Sequence, residues 1–150
     1  MIKKTQGPFP NVSELDNCFR ACLYFTMSRF YRRIDRLAFE AFKNLEMSPS
    51  QAFLLMALGR SEGHAASSSV LAKLMDLDRS TLTRLLGQLE QKKYLRRKKT
   101  GRQVVVYLQV KGLEFLPKIN QCWKNLYQQY CKVLGENNAE ALIRLIHKNS

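Results

Sequence analysis

The sequence predicts a mainly α-helical fold carrying one small β-hairpin wing, with long helices at both ends of the chain. Three observations predict it. Apolar residues recur at helical spacing through most of the chain, as in "DRSTLTRLLGQLE", where Leu82, Leu85, Leu86 and Leu89 stack on one side. After Tyr94 the pattern changes to strands, with "YLRRKK" and "RQVVVYL" flanking "TG". From Gly112 the apolar residues Leu116, Ile119, Trp123, Leu126, Tyr130 and Val133 follow a heptad-like seam suited to packing on another long helix.

The elements follow in order. Residues 1–12 hold Gly7, Pro8 and Pro10 and read as a flexible arm. Residues 13–150 read as a single domain. Ser13 is a plausible N-cap for a long first helix reaching about residue 44. Its first half, "CFRACLYFTM", is apolar on nearly every side and so demands burial all round. "MSPSQAFLLMAL" starts a second helix, with Ser48 as cap and Pro49 at the first helical position, and Gly59 is expected to end it. "GHAASSS" reads as a loop with room for a short strand. A short helix follows over Ser68–Met75, capped by Ser67, and Asp78 caps the next. Gly101 supplies the positive φ a tight hairpin requires. The long helix from Gly112 stops at Gly135, and Asn138 is expected to cap a last helix with Leu142, Leu145 and Ile146 inward.

Composition narrows the partners. In 150 residues, 25 Lys and Arg oppose 12 Asp and Glu, a formal charge of +13. Such an excess calls for an anionic partner: nucleic acid, an acidic membrane surface or an acidic protein. The hydrophobic fraction of 45% is too high for disorder. No run approaches a membrane span, and "TQGPFPN" stands where a signal peptide needs an apolar stretch, so the expectation is a cytoplasmic chain without a membrane partner. Cys18, Cys22, Cys122 and Cys131 follow no zinc spacing, so no metal, no cofactor and reduced thiols are expected.

Two short helices joined by a tight turn, the second polar and basic at its start, describe a helix-turn-helix. Leu71, Met75, Leu77, Leu82 and Leu85 supply the apolar positions between the two. The N-terminal turns of the second helix carry Arg79, Ser80, Thr81, Thr83 and Arg84. A major groove accepts one such helix: Arg84 can fork onto a guanine edge, and the hydroxyls can reach phosphates, base edges or a thymine methyl. A solvated amphipathic helix is the bland alternative, but threonine is a poor surface helix former and capping accounts for one hydroxyl at most. Seven of the eleven residues from Lys92 to Arg102 are also basic, on the hairpin that follows. Lys98, Lys99 and Arg102 lie near its tip, where a wing would meet the DNA backbone and minor groove.

"LAKLMDLDRSTLTRLLGQLEQKKYLRRKK", followed by a hairpin and "LQVKG", resembles the MarR family of bacterial winged-helix transcriptional regulators. The order of elements agrees over about residues 13–148. The resemblance implies a winged helix-turn-helix at 48–110 between dimerisation helices at 13–44 and 112–148. It implies a homodimer that binds a pseudo-palindromic operator, with Ser80, Thr81, Thr83 and Arg84 as groove contacts and Arg102 as the wing arginine. The all-round apolar first helix and the heptad-like seam independently ask for a partner. Two departures stand out. The family wing carries an Asp shortly before its arginine, where this chain has Thr100 and Gly101; and Gln109 replaces the threonine that usually follows the wing.

Many members of the family release DNA when a small aromatic ligand or an oxidant acts on them. Cys18 and Cys22, four apart, would share a helix face as a redox sensor, although the reactive cysteine of the peroxide-sensing branch falls on Arg20 here. Inert core cysteines are the competing reading. Cys122 and Cys131 point in opposite directions. A winged-helix module for RNA or the ribosome also fits the basic hairpin, but not the threonine-rich groove helix. No phosphate loop, paired carboxylates or triad appears, so an enzyme is not expected.

Overall fold

The computed structural model describes residues 11–150, so most of the arm expected over residues 1–12 lies outside them. The chain divides into two compact units, up to Arg36 and from Leu37 onward.

In the first unit the single long helix expected from Ser13 is replaced by two. Helix α1 spans Val12–Phe19 and α2 spans Leu23–Phe42, with Ser13 inside α1 instead of capping it. The break is held by local chemistry. The Cys22 amide donates to the Phe19 carbonyl at 2.8 Å, and the Thr26 hydroxyl takes the carbonyl that Arg20 leaves open, at 3.1 Å. Side chains reinforce the bend: Arg29 pairs with Asp16, and Phe19 packs on Phe25 with ring centroids 5.1 Å apart. The burial expected of "CFRACLYFTM" does not occur within the chain, since Leu23 is 77% and Tyr24 83% exposed.

The second unit opens with the end of α2 and a 3-10 turn at Lys43–Leu45. Helix α3 (Pro49–Arg60) begins as expected, with the Ser48 side chain and Gln51 forming a reciprocal capping box. Gly59 does not end it but lies inside. A Cβ there would come within 2.5 Å of Leu116, so the glycine lets the later long helix approach. The loop does hold a short strand, β1 (Ala65–Ser67), which runs into α4 (Ser68–Met75) through the Ser67 cap. Asp76 takes the left-handed conformation at φ 48° that ends α4, and α5 spans Arg79–Gln91. Strands β2 (Leu95–Thr100) and β3 (Gln103–Leu108) form the wing. The antiparallel sheet has the order β1-β3-β2, so β3 is central. The hairpin turn is Gly101–Arg102, one residue later than the "TG" reading, with Gly101 at φ 61°. Arg102 is therefore a turn residue, not the start of a strand.

The long helix α6 (Val110–Leu134) starts two residues before Gly112, with Gln109 at its cap position and no side-chain cap bond. Helix α7 (Glu136–Lys148) follows directly from Gly135. Asn138 does not cap α7. Its amide donates instead to the Leu134 carbonyl at 2.8 Å, closing the end of α6.

The core of this unit joins Phe42, Leu54, Leu55 and Leu58 to Leu71, Leu82, Leu86, Leu89, Leu95 and Val106. Of the expected α6 seam, Ile119 and Leu126 are buried within the chain, while Trp123 stays 44% exposed. In α7 only Ala139 is buried; Leu145 and Ile146, expected inward, are exposed.

Candidate nucleic-acid interface

Helix α5 is built as two faces. Leu82, Leu85, Leu86 and Leu89 are buried beneath it, which fixes the helix by its apolar stripe. The opposite stripe, at i, i+3 and i+4, presents Ser80, Thr83 and Arg84, all exposed. Arg79 is exposed beside it, and Thr81 is half-buried.

The first turn is organised around Asp78. Its carboxylate accepts the Thr81 amide at 2.9 Å, the Thr81 hydroxyl at 2.6 Å and the Ser80 hydroxyl. These bonds, led by the Ser80 hydroxyl, hold the Asp78 carboxyl well below the usual carboxylate range. The Thr83 hydroxyl donates back to the Arg79 carbonyl at 2.7 Å. The sequence expected these hydroxyls to reach phosphates, base edges or a thymine methyl, with at most one used in capping; in the structure all three donate to groups of the helix and its cap.

The helix is tied to its surroundings through its last turn. Gln51 of α3, almost fully buried, donates from Nε2 to Gln88 Oε1 at 2.8 Å. Toward the C-terminus, Glu90 accepts three hydrogen bonds from Arg97 of β2: the amide at 2.7 Å, Nε at 2.9 Å and Nη2 at 2.6 Å. Helix and wing are therefore locked by two guanidinium bonds to Oε2 and a main-chain bond to Oε1. A left-handed Lys93 (φ 63°) ends the helix, with its amide bonded to Glu90 and that of Tyr94 to Leu89.

The basic run is sorted by this geometry. Lys92 donates to the Glu46 carbonyl at 2.6 Å, Arg97 is consumed by Glu90, and Arg96 lies over the Tyr107 ring at 5.1 Å. Lys98, Lys99 and Arg102 are exposed, and among the described residues none of them belongs to an ion pair. Cross-strand pairing sets Arg97 opposite Val106 and Lys99 opposite Val104, while Lys98 opposes Val105. Side chains alternate along a strand, so Lys99 shares a face with Arg97 and Lys98 points the other way. A cleft of about 600 Å³ runs between α4, α5 and the wing; Ser69, Lys73, Arg79, Thr83, Arg97 and Arg102 are on its walls. Arg79 and Thr83 of the helix thus meet Arg102 of the wing tip around one basic hollow.

Residues 45–103 match the model of the MarR family. The match runs from the approach to α3 through α5 to the turn of the wing. Solved structures share the fold across most of the chain. BpsR of Bordetella bronchiseptica, described for regulation of its DNA binding by 6-hydroxynicotinic acid, is 21% identical with a TM-score of 0.77, covering 97% of this chain and 100% of its own. A mutant MarR of E. coli complexed with operator DNA is 22% identical with a TM-score of 0.74, covering 93% and 98%. The oxidized form of E. coli MarR is 25% identical with a TM-score of 0.66, covering 84% and 92%. No curated protein sequence matches the chain.

The cysteines fall differently from expectation. Cys18 and Cys22 are both exposed, not core residues, and the α1–α2 break lies between them, so the shared helix face does not form. Cys122 is half-buried, and burial pushes its thiol pKa up. Among the described residues no helix is long and apolar enough to cross a membrane, and no cluster of metal-ligating side chains occurs.

Sequence reasoning missed the Glu90–Arg97 and Gln51–Gln88 pairs. A weak signal existed for the first: an acid at the end of α5 with an arginine seven residues on, at an inward-facing strand position.

Proposed function

We propose that the chain is a homodimeric transcriptional regulator that binds double-stranded DNA at a pseudo-palindromic operator. Helix α5 enters the major groove and the basic wing follows the neighbouring backbone. Arg79, Ser80, Thr83 and Arg84 are the groove contacts and Lys99 and Arg102 the wing contacts, while Thr81 holds the cap of α5 and Lys98 lies on the opposite face of the wing. The observation that carries this reading is the basic hollow in which Arg79 and Thr83 of α5 adjoin Arg102 of the wing, on a helix locked from behind by its leucines. A rigid helix with exposed short polar residues and arginines is what major-groove readout needs. Supporting the dimer are the exposed apolar side chains of the terminal helices: Leu23 and Tyr24 in the first unit, Trp123, Ile143 and Leu145 in the second.

A gel-shift titration tests it. Binding to a duplex selected from a random library is expected to exceed binding to an unrelated duplex by about a thousandfold or more, and to weaken steeply with salt. Equal affinity for every duplex, or displacement by structured RNA at lower concentration than by the selected DNA, would refute it. Release is proposed to follow a small aromatic ligand or an oxidant. Release by peroxide that Cys18→Ser or Cys22→Ser removes assigns the trigger to those exposed thiols. Release by an aromatic acid that both variants retain assigns it to a ligand.

A further inference from the structure

We propose that Asp78 and the Arg79 carbonyl fix the hydroxyls of Ser80 and Thr83 as hydrogen-bond acceptors, so that α5 reads base amino groups and not base carbonyls at these two positions. The inference rests on the DNA-binding reading above and deepens it.

A serine or threonine hydroxyl has one proton to give and two lone pairs. In this helix each proton is already committed. Ser80 and Thr81 donate to Asp78, and Thr83 donates to the main chain at 2.7 Å. The bonds to Asp78 are charge-assisted, about twice as strong as a neutral pair. Turning the Ser80 hydroxyl toward a guanine O6 or thymine O4 would exchange a charged acceptor for a neutral one, and turning that of Thr83 would open its intrahelical bond to the Arg79 carbonyl for no more than another carbonyl. The Asp78 carboxyl also sits at the positive end of the α5 dipole, which favours its ionised state. The protons therefore stay where they are.

What Ser80 and Thr83 then present outward is oxygen lone pairs and, on Thr83, a methyl group. In the major groove the donors that match are the adenine N6 and cytosine N4 amino groups, and the thymine methyl matches the Thr83 methyl. Guanine and thymine carbonyls are left to the arginines Arg79 and Arg84, which can only donate. Ser80 and Thr83 are both exposed and three residues apart, so both face outward on one side of the helix. Thr81 is half-buried and holds the cap, so it is excluded from base contact.

The test uses the full-length protein and the duplex it selects from a random library. Adenines in each half-site are replaced singly by the purine that lacks the 6-amino group, or by 7-deazaadenine, which keeps the amino group and loses N7. Cytosines are replaced by the pyrimidinone lacking the 4-amino group. At one or two positions per half-site, loss of the amino group is expected to weaken binding about 3–10-fold, the worth of one hydrogen bond. At the adenine positions, 7-deaza replacement is expected to leave the affinity within twofold. Ser80→Ala or Thr83→Val, which removes one hydroxyl but leaves Asp78 in place, is expected to erase the penalty at its own position. If both variants keep the same amino-group penalty as the parent, or if 7-deaza replacement is the damaging one, the inference is wrong while DNA binding stands. If no duplex is selected at all, both fall.

Discussion

Glu90 and Arg97 form the joint between α5 and the wing, with both carboxylate oxygens and three Arg97 donors engaged. The pair spans only seven residues of chain, yet it sets where the wing leaves the helix. Hydrogen bonding by Arg97 lowers the Glu90 pKa from its ordinary value, outweighing partial burial. A carboxylate whose pKa falls on folding adds stability that is complete above its unfolded pKa and is lost as pH drops through the folded value. Both side chains are about a third exposed, at 35% for Glu90 and 29% for Arg97, so solvent screening keeps the pair modest. Glu90→Gln is expected to lower stability by about 1 kcal/mol at neutral pH. Between about pH 5 and pH 3 the parent should lose more stability than the variant, because only the parent has that carboxylate to protonate. Urea denaturation at several pH values measures both.

Three glycines inside helices give opposite outcomes for the same substitution. At Gly112 an added Cβ would lie 2.3 Å from the Tyr94 carbonyl oxygen, a main-chain atom at the foot of the wing that already accepts the Gln109 amide. Gly112→Ala is expected to cost about 2 kcal/mol or more, because backbone must move. At Gly87 the nearest atom is Arg97 Nη2 at 3.7 Å, ordinary contact. Gly87→Ala should therefore gain about 0.5–1 kcal/mol from helix propensity. At Gly59 the obstacle is the far end of the Leu116 side chain at 2.5 Å, which can rotate, so Gly59→Ala should fall between the two. Urea midpoints of the three variants must come in that order.

What was legible in the sequence had a local chemical cause. Ser48 with Pro49, Ser67, Asp78 and Gly135 each start or stop a helix by their own chemistry, and each does so here. The α1–α2 break was not legible, because no Gly or Pro marks it and "CFRACLYFTM" suits a continuous helix. It is held by Asp16 with Arg29 and Phe19 with Phe25, pairs that exist only once the bend has formed. Residue types at the site were readable, but hydroxyl direction was not, since it depends on where the Asp78 carboxylate lies relative to Ser80 and Thr81. Apolar periodicity in α7 correctly marked a stripe that avoids water, yet it cannot say whether the cover is this chain or a second copy.

The exposed stripe of α7 yields a prediction about assembly. Ile143 and Ile146 are partly exposed and Leu145 is 62% exposed, beside an α6 on which Trp123 is also open. If a second copy covers this stripe, a charge placed in it must be desolvated without a partner, which costs several kcal/mol in a dry interface. Leu145→Glu is expected to convert a dimer to a monomer in sedimentation at micromolar concentration. Because Leu145 lies outside the buried core, the helical circular-dichroism signal should be retained. An unchanged sedimentation coefficient would remove α7 from the interface.

The wing lysines separate by strand alternation. Lys99 lies on the face of β2 that carries Arg97, a wall residue of the basic cleft, whereas Lys98 shares the opposite face with Arg96. A lysine that neutralises one phosphate adds about one counterion to those released on binding. Lys99→Ala is therefore expected to weaken every duplex to a similar degree and to reduce the salt slope by about one per contact. Lys98→Ala should change both by much less. Arg84→Ala should behave differently again, costing about 1–3 kcal/mol against the selected duplex and relaxing preference at a single base position. The three variants titrated against selected and random duplexes over a range of salt distinguish a groove contact, a backbone contact and a bystander. A uniform loss for Lys98→Ala equal to that of Lys99→Ala would mean that the other face of the wing meets the DNA.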